Sequence, residues 1–239
     1  MKAYALTDVG KSRSVNQDYV FCSDSPVGIL PNLYIVADGM GGHRAGDLAS
    51  KYAVETFVEQ IRNAKGDNPI TIISDAIKYT NSGLISLAAS SEDYTGMGTT
   101  FVAATIFDNS MYVANIGDSR LYVLSDEIRQ ITRDHSLVEE MVTNGTIGRE
   151  EARTHEKKNV ITRAIGGAAT VMADFFEVEL GNNNVIIMCS DGLSNMIEDR
   201  DIAAVAGSDD TVEAKAVKLV EMANDHGGRD NISVIIIEP

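Results

Sequence analysis

The sequence predicts an α+β protein, a β-sandwich with helices on its outside. Two observations carry this. Short runs rich in Val, Ile, Phe and Tyr, bounded by turn residues, read as strands; they lie at 2–7, 19–22, 33–37, 99–106, 111–115, 121–124, 173–180, 185–189 and 232–237. The segments with helical spacing are grouped in blocks, not interleaved with each strand as in a parallel α/β sheet.

The strands come first. The runs at 99–106 and 111–115 are joined by Phe107-Asp108-Asn109-Ser110, a loop of hairpin length. The helices follow from a 3.6-residue period. Ala49, Tyr52, Ala53, Thr56, Phe57 and Ile61 fall on one face, and Ile70, Ile73, Ile77, Leu84 and Leu87 on another. Asn68-Pro69 suits the start of the second helix, because proline at the first helical position gives up no needed N–H. A third helix is expected over 211–225, with Val212, Ala216, Leu219, Val220 and Ala223 inward and Gly227-Gly228 as its stop. The polar stretch 136–159 offers few core candidates and reads as a partly helical surface insertion.

Composition narrows the function. At 239 residues and 44% hydrophobic, the chain suits one globular domain over 1–239. A net charge of −15 argues against nucleic-acid binding, since a phosphate polymer would be repelled. Any phosphorylated substrate is also an anion, so its positive partner must be local: metal ions or a few placed arginines. Acidity alone is equally a solubility feature. Cys22 and Cys189 sit in apolar runs and read as buried thiols rather than a disulfide framework. With no leader-like apolar run and no stretch near the roughly 20 residues of a membrane span, a cytoplasmic protein free of the membrane is expected.

The chemistry lies in aspartates at the ends of strand runs: Asn16-Gln17-Asp18, Ala37-Asp38-Gly39, Ser190-Asp191-Gly192 and Arg229-Asp230-Asn231. Gly117-Asp118-Ser119 lies between two strands. One Asp-Gly is ordinarily a turn. Two of them, each led into by an apolar run, can bring carboxylates to one edge of a sandwich, where mutual repulsion resists ionisation. Hard cations with oxygen ligands, Mg²⁺ or Mn²⁺, relieve it. Only four histidines and two separated cysteines make zinc less suited. Two adjacent metals fit phosphoester hydrolysis. Other phosphate chemistries lack their residues: six positions after Cys22 and Cys189 stand Gly28 and Asn195, not arginine, and the first glycine of a P-loop before Gly10-Lys11-Ser12 is replaced by Ala5.

The motifs together resemble the metal-dependent protein phosphatase family, type 2C, in its small bacterial branch. They are Gly10-Lys11-Ser12-Arg13-Ser14-Val15-Asn16-Gln17-Asp18, Ala37-Asp38-Gly39-Met40-Gly41-Gly42-His43, Gly98-Thr99-Thr100, Gly117-Asp118-Ser119-Arg120, Asn159-Val160-Ile161-Thr162-Arg163-Ala164-Ile165-Gly166, Ser190-Asp191-Gly192 and Asp230-Asn231. The resemblance implies a four-layer α-β-β-α sandwich with two central antiparallel sheets. It implies hydrolysis of phosphoserine and phosphothreonine on proteins by direct attack of a metal-bridging water, without a phosphoenzyme, opposing a serine/threonine kinase. Asp38 would bridge two Mg²⁺ or Mn²⁺ ions, with the Gly39 carbonyl on one. Asp191 and Asp230 would hold the first ion, Asp18 would reach the second through water, and Asp118 would share a third, weaker ion with Asp191. Arg13 would grip the phosphate, and 136–159 would be a mobile flap. Partners would be phosphoproteins, including a kinase and its substrates, and the chain a monomer.

Two residues depart from the common pattern. Met40 stands where eukaryotic members often carry a proton-donating histidine, leaving that role open; His43 is nearby but suits a surface helix start equally well. Gln17 replaces a frequent glutamate. Thr99 and Thr100 suit plain strand positions, Arg120 and Arg163 structural ion pairs, and His155 a solvated flap site. A catalytically dead phosphoprotein binder would be favoured by loss of one of these aspartates, and all are present. A phosphatase dedicated to anti-sigma antagonists ordinarily carries a sensor domain, for which this chain has no room.

Overall fold

The computed structural model describes residues 1–42, 45–181 and 183–239. In chain order its elements are β1 (Lys2–Asp8), β2 (Asp18–Ser23), β3 (Leu33–Met40), α1 (Ala45–Asn63), α2 (Pro69–Ala88), β4 (Gly98–Thr99), β5 (Phe101–Phe107), β6 (Ser110–Ile116), β7 (Arg120–Leu124), β8 (Ile128–Gln130), α3 (Leu137–Thr143), α4 (Arg149–Thr154), β9 (Asp174–Glu179), β10 (Val185–Cys189), α5 (Asp191–Ser194), α6 (Asp199–Ala206), α7 (Val212–Asp225) and β11 (Ile232–Glu238). The strands form two antiparallel sheets, ordered β1-β11-β10-β7-β8 and β2-β3-β5-β6-β9, with β4 paired to the end of β3.

Four layers follow from the period of two along each central strand. In β3, Tyr34 and Val36 face the other sheet, while Leu33, Ile35 and Ala37 face the helices. In β10, Ile186 and Met188 face the β2-β3-β5-β6-β9 sheet, and Ile187 and Cys189 face α5 to α7. Strands buried on both faces read as unbroken apolar runs, which is why these stood out in sequence. α1 and α2 cover one outer face, where Phe57 meets Phe101 edge-on with ring centroids 4.9 Å apart. α7 covers the other through Ala216, Leu219, Val220 and Ala223.

The helix starts are capped as the sequence indicates. The Asn68 side chain accepts from Thr71 N–H at 3.0 Å, and Thr211 Oγ1 accepts from Ala214 N–H at 3.2 Å.

The structure corrects several expectations. The run at 99–106 breaks at Thr100 into β4 and β5, and β3 continues past Ala37 through the Asp38-Gly39 pair. The hairpin loop shrinks to Asp108-Asn109, with Asp108 at φ +50°, while Phe107 and Ser110 pair as strand residues. Tyr52, Thr56, Ile70, Leu87 and Val212 are only half-buried; the inward faces turn toward Val54, Ile72 and Lys215 instead. β8, α5 and α6 were not anticipated: three, four and eight residues give little or no periodicity to detect. Cys189 is buried and Cys22 half-buried, and both are free thiols. Segment 136–159 carries α3 and α4, with Val138 and Ala152 buried. Among the described residues no helix is long and apolar enough to cross a membrane.

Candidate metal centre

Asp18 and Asp38 sit opposite one another in the β2–β3 register. Asp38 is not at a turn. It lies inside β3, and the following Gly39 packs so tightly that a Cβ would stand 1.9 Å from the Gly46 carbonyl oxygen of α1. Gly192 is in the same position: a Cβ there would stand 1.9 Å from the Asn231 carbonyl oxygen. Both Asp-Gly pairs are therefore close-approach sites rather than turns. The first lets α1 meet β3, and the second lets α5 start against the entry to β11.

The backbone of Asp38 is clamped by the β4–β5 break. Thr100 N–H and the Thr99 hydroxyl both donate to the Asp38 carbonyl at 2.9 Å, and Thr100 Oγ1 accepts from Asp38 N–H at 2.9 Å. Thr100 Oγ1 also shares a 2.7 Å hydrogen bond with Ser119 Oγ, next to Asp118. Thr99 and Thr100 thus tie the β4–β5 break to the Asp38 backbone through their side chains as well as through strand pairing.

Asp118 is not in a hairpin. Gly117-Asp118-Ser119 joins β6 to β7, which belong to different sheets. His135 holds this crossover: Gly117 N–H donates to His135 Nδ1 at 3.1 Å, and His135 N–H donates to the Gly117 carbonyl at 2.9 Å. With Nδ1 accepting, the neutral ring carries its proton on Nε2, 3.0 Å from Asp174 Oδ2. Arg163 completes the cluster at 2.7 Å from Asp174, and Arg120 pairs with Asp134 at 2.7 Å.

Asp191 opens α5, and Asn195 Nδ2 donates to its Oδ2 at 2.9 Å. Asp230 precedes β11. Asn231 staples the N-terminal loop beside it: its side-chain oxygen accepts from Gln17 N–H at 2.8 Å, and its amide donates to the Val9 and Val15 carbonyls at 2.9 and 3.0 Å. The staple brings Arg13 to Asp230, where the guanidinium donates at 2.7 Å. Asp18 lies deeper, 5% exposed, and accepts from Ser190 Oγ at 2.7 Å.

One cleft of about 250 Å³ is lined by Arg13, Gln17, Asp38, Gly39, Met40, Asp118, Asp191 and Asp230, with Asn159 and Ile161 from the far end of the 136–159 segment and just beyond it. Asp18 lies behind it. His43 falls outside the described residues. Among the described residues, no three His, Cys, Asp or Glu side chains are already drawn in around a single point. The carboxylates share a cleft, and Asp230 is turned to Arg13.

The electrostatics of the cleft are strained. Burial, then the Asp18, Asp191, Asp118 and Asp230 carboxylates, hold the Asp38 carboxyl well above its ordinary range. Burial, then Asp191 and Asp134, do the same to Asp118. Asp191 is raised to about 6, by burial and then Asp230. Asp18 is raised to about 7 by burial, against the pull of the Ser190 hydrogen bond. Among the described residues, Asp18 Oδ1 and Asp191 Oδ1 are buried with no hydrogen-bond partner. Partnerless buried carboxylate oxygens on an all-oxygen donor set fit hard divalent cations.

Comparison with known proteins agrees. The model of the protein phosphatase 2C family matches residues 10–227. The serine/threonine phosphatase stp of Listeria innocua is 38% identical over 245 residues, covering all of this chain and 96% of that protein. The solved serine/threonine phosphatase of S. agalactiae superposes with a TM-score of 0.91 at 37% identity, covering 98% of both chains. The catalytic domain of PstP, solved in complex with two manganese ions, superposes with a TM-score of 0.86 at 32% identity, covering 98% of this chain and 96% of that one. A sandwich of two antiparallel sheets between helix layers, ending in an acidic cleft, is the architecture of a metal-dependent phosphatase. This chain belongs to the protein phosphatase 2C family.

Of the site residues, the carboxylates, Arg13 and Gly39 are legible in the sequence. Ser190, Asn231 and Ser119, each adjacent to one of those aspartates, carry no separate signal, and neither do His135 and Asn195. His135 lies in Asp134-His135-Ser136, a polar triplet with no periodic signal.

Proposed function

We propose that this chain hydrolyses phosphoserine and phosphothreonine monoesters on proteins, with Mg²⁺ or Mn²⁺ held in the acidic cleft. The observation that supports this most is the gathering of Asp38, Asp118, Asp191, Asp230 and Arg13 on one cleft in a chain of this family. Asp38 would be shared by two ions, with the Gly39 carbonyl as a further oxygen donor. Asp191 and Asp230 would hold the first ion. Asp18, from behind, would reach the second through water. Asp118 and Asp191 would hold a third, weaker ion. When bound, the cations lower the pKa of water and draw charge off the phosphoryl oxygens.

The remaining residues bind and orient. Arg13 grips the phosphate: its fork carries five N–H donors, and one nitrogen is engaged by Asp230. Cations on the carboxylates would loosen that pair and turn the fork to substrate. The Thr99–Thr100 clamp fixes the Asp38 backbone, and Asn231 fixes the loop that carries Arg13. Met40 has no proton to donate.

We assign 1–239 to one catalytic unit with 136–159 as a flap beside the cleft, acting as a monomer in the cytoplasm on phosphoproteins that include a serine/threonine kinase and its substrates. A phosphopeptide panel assayed with Mg²⁺, Mn²⁺, Ca²⁺ or chelator tests the activity. Release of phosphate from phosphoserine and phosphothreonine peptides, abolished by chelator, is expected; full turnover by metal-stripped protein contradicts it.

A further inference from the structure

The cleft shares a wall with a second cavity. This one, of about 400 Å³, is also lined by Asp118 and Asp191, and it lies between segment 136–159 and the α5–α6 region. Its lining is mostly charged, with five cations and five carboxylates, and half of these are paired with one another. Arg120 meets Asp134 in three N–H···O contacts of 2.7 to 3.1 Å. Arg149 and Arg133 both meet Glu139.

Two of the lining cations, Arg153 and Lys158, stand outside these pairs, and so do three lining carboxylates: Asp118 and Asp191, which also line the acidic cleft, and Asp199. Among the described residues, neither Arg153 nor Lys158 has a carboxylate at ion-pair distance. Arg153 reaches only the Ser194 carbonyl, at 3.5 Å, and Lys158 only the Asn195 side-chain oxygen, at 3.4 Å. Both contacts are long for N–H···O. The carboxylates on the shared wall, Asp118 and Asp191, are those proposed above to hold cations, so with the cleft loaded they do not compete for Arg153 and Lys158.

We propose that this cavity is a subsite for a second anionic group on the substrate chain, close in sequence to the phosphoresidue, and that Arg153 and Lys158 select it. The proposal rests on the phosphatase function above. An extended chain advances roughly 3.3–3.6 Å per residue, so a residue one to three positions away has its Cα within about 11 Å of the phosphoresidue's Cα, and the side chains extend that reach. That is the scale of two cavities sharing a wall. The anion is a carboxylate or a further phosphate, and it would complete the half-made contacts of both cations. A different role is open to Lys158 on the same geometry. It touches Asn195, which donates to Asp191, so it could position Asp191 and affect all substrates alike.

The test separates these. Alanine-based phosphothreonine peptides carry one Asp, or in a second arm one phosphoserine, at each of the three positions on either side. Loss of phosphate from phosphothreonine is followed by mass, with Mn²⁺ present, for wild type, Arg153→Gln and Lys158→Gln. Wild type is expected to favour an anion at one or two adjacent positions by about five- to tenfold in kcat/KM. Arg153→Gln should erase most of that preference and leave the neutral peptide unchanged, and Lys158→Gln should lower turnover of the anionic peptides by a larger factor than that of the neutral one. A preference confined to the phosphoserine arm assigns the subsite to phosphate, and one in both arms assigns it to anions generally. No preference in wild type, or one that survives both substitutions, overturns the subsite. An equal fall on every peptide, the neutral one included, also overturns it and makes Lys158 a positioning residue. Hydrolysis of no peptide by wild type would sink the phosphatase function, and the subsite with it.

Discussion

Arg13 and Asp118 show how much a single side chain's role depends on its neighbours. Arg13 is half-exposed and paired to Asp230 at 2.7 Å. A contact to phosphate made in both ground and transition states mainly lowers KM. Arg13→Ala should therefore raise KM for phosphopeptides severalfold with a smaller fall in kcat, read from initial rates; an unchanged KM would remove Arg13 from the site. Asp118 sits on the sheet-to-sheet crossover, its carboxyl held well above the ordinary range by burial and then by Asp191. If it only shaped the chain, asparagine would serve as well. Asp118→Asn is instead expected to slow turnover and to require more Mn²⁺ for half-maximal rate. Superimposable titrations of rate against Mn²⁺ would return Asp118 to a purely structural role.

At the scale of elements, the break between β4 and β5 fixes Asp38. Thr100→Val keeps the shape and removes one hydroxyl, leaving Asp38 N–H without its acceptor and Ser119 without its partner. A buried polar group left unsatisfied costs about 1–3 kcal/mol. The variant should melt a few degrees lower and lose turnover disproportionately, and Thr100→Ser should recover both. Equal activity of Thr100→Val and wild type would show that the clamp does not position Asp38.

This break was invisible in the sequence, where 99–106 is one unbroken β-branched and apolar run. What was legible had a period behind it. The two-sided burial of β3, β10 and β11 shows as continuous apolar runs, and Asn68-Pro69 and Thr211 announce their helices. What was hidden depends on contacts remote in sequence. Nothing within Asp38-Gly39 or Asp191-Gly192 reveals that the glycines lie against Gly46 and Asn231. Nothing near Gly117 reveals that His135 grips it from 18 residues away.

For the whole molecule, the acidic cleft couples stability to both pH and metal. Asp191 and Asp18 rise from 3.8 to about 6 and about 7, chiefly because burial disfavours their charged forms. A carboxyl that binds its proton more tightly folded than unfolded contributes stability below about 3.8, and that contribution is lost as pH rises through about 6 and 7. Cations bind the ionised form and restore what is lost. The gain in melting temperature on adding Mg²⁺ to chelated protein should thus be larger at pH 8 than at pH 5. At a hundredfold excess over the dissociation constant it amounts to about 2.7 kcal/mol, roughly 5–10 °C for a domain of this size. An equal gain at both pH values would mean that the stabilising ions bind elsewhere.

If the carboxylates form one shared cation site organised by Asp38, removing that one side chain should empty it. Calorimetric titration of Mn²⁺ into chelator-treated wild type and Asp38→Asn, each checked for an unchanged circular dichroism spectrum, decides this. Wild type is expected to bind two ions tightly, and Asp38→Asn to lose tight binding of both together, with phosphopeptide turnover falling by orders of magnitude. Two ions bound as tightly by the folded Asp38→Asn protein as by wild type would contradict it.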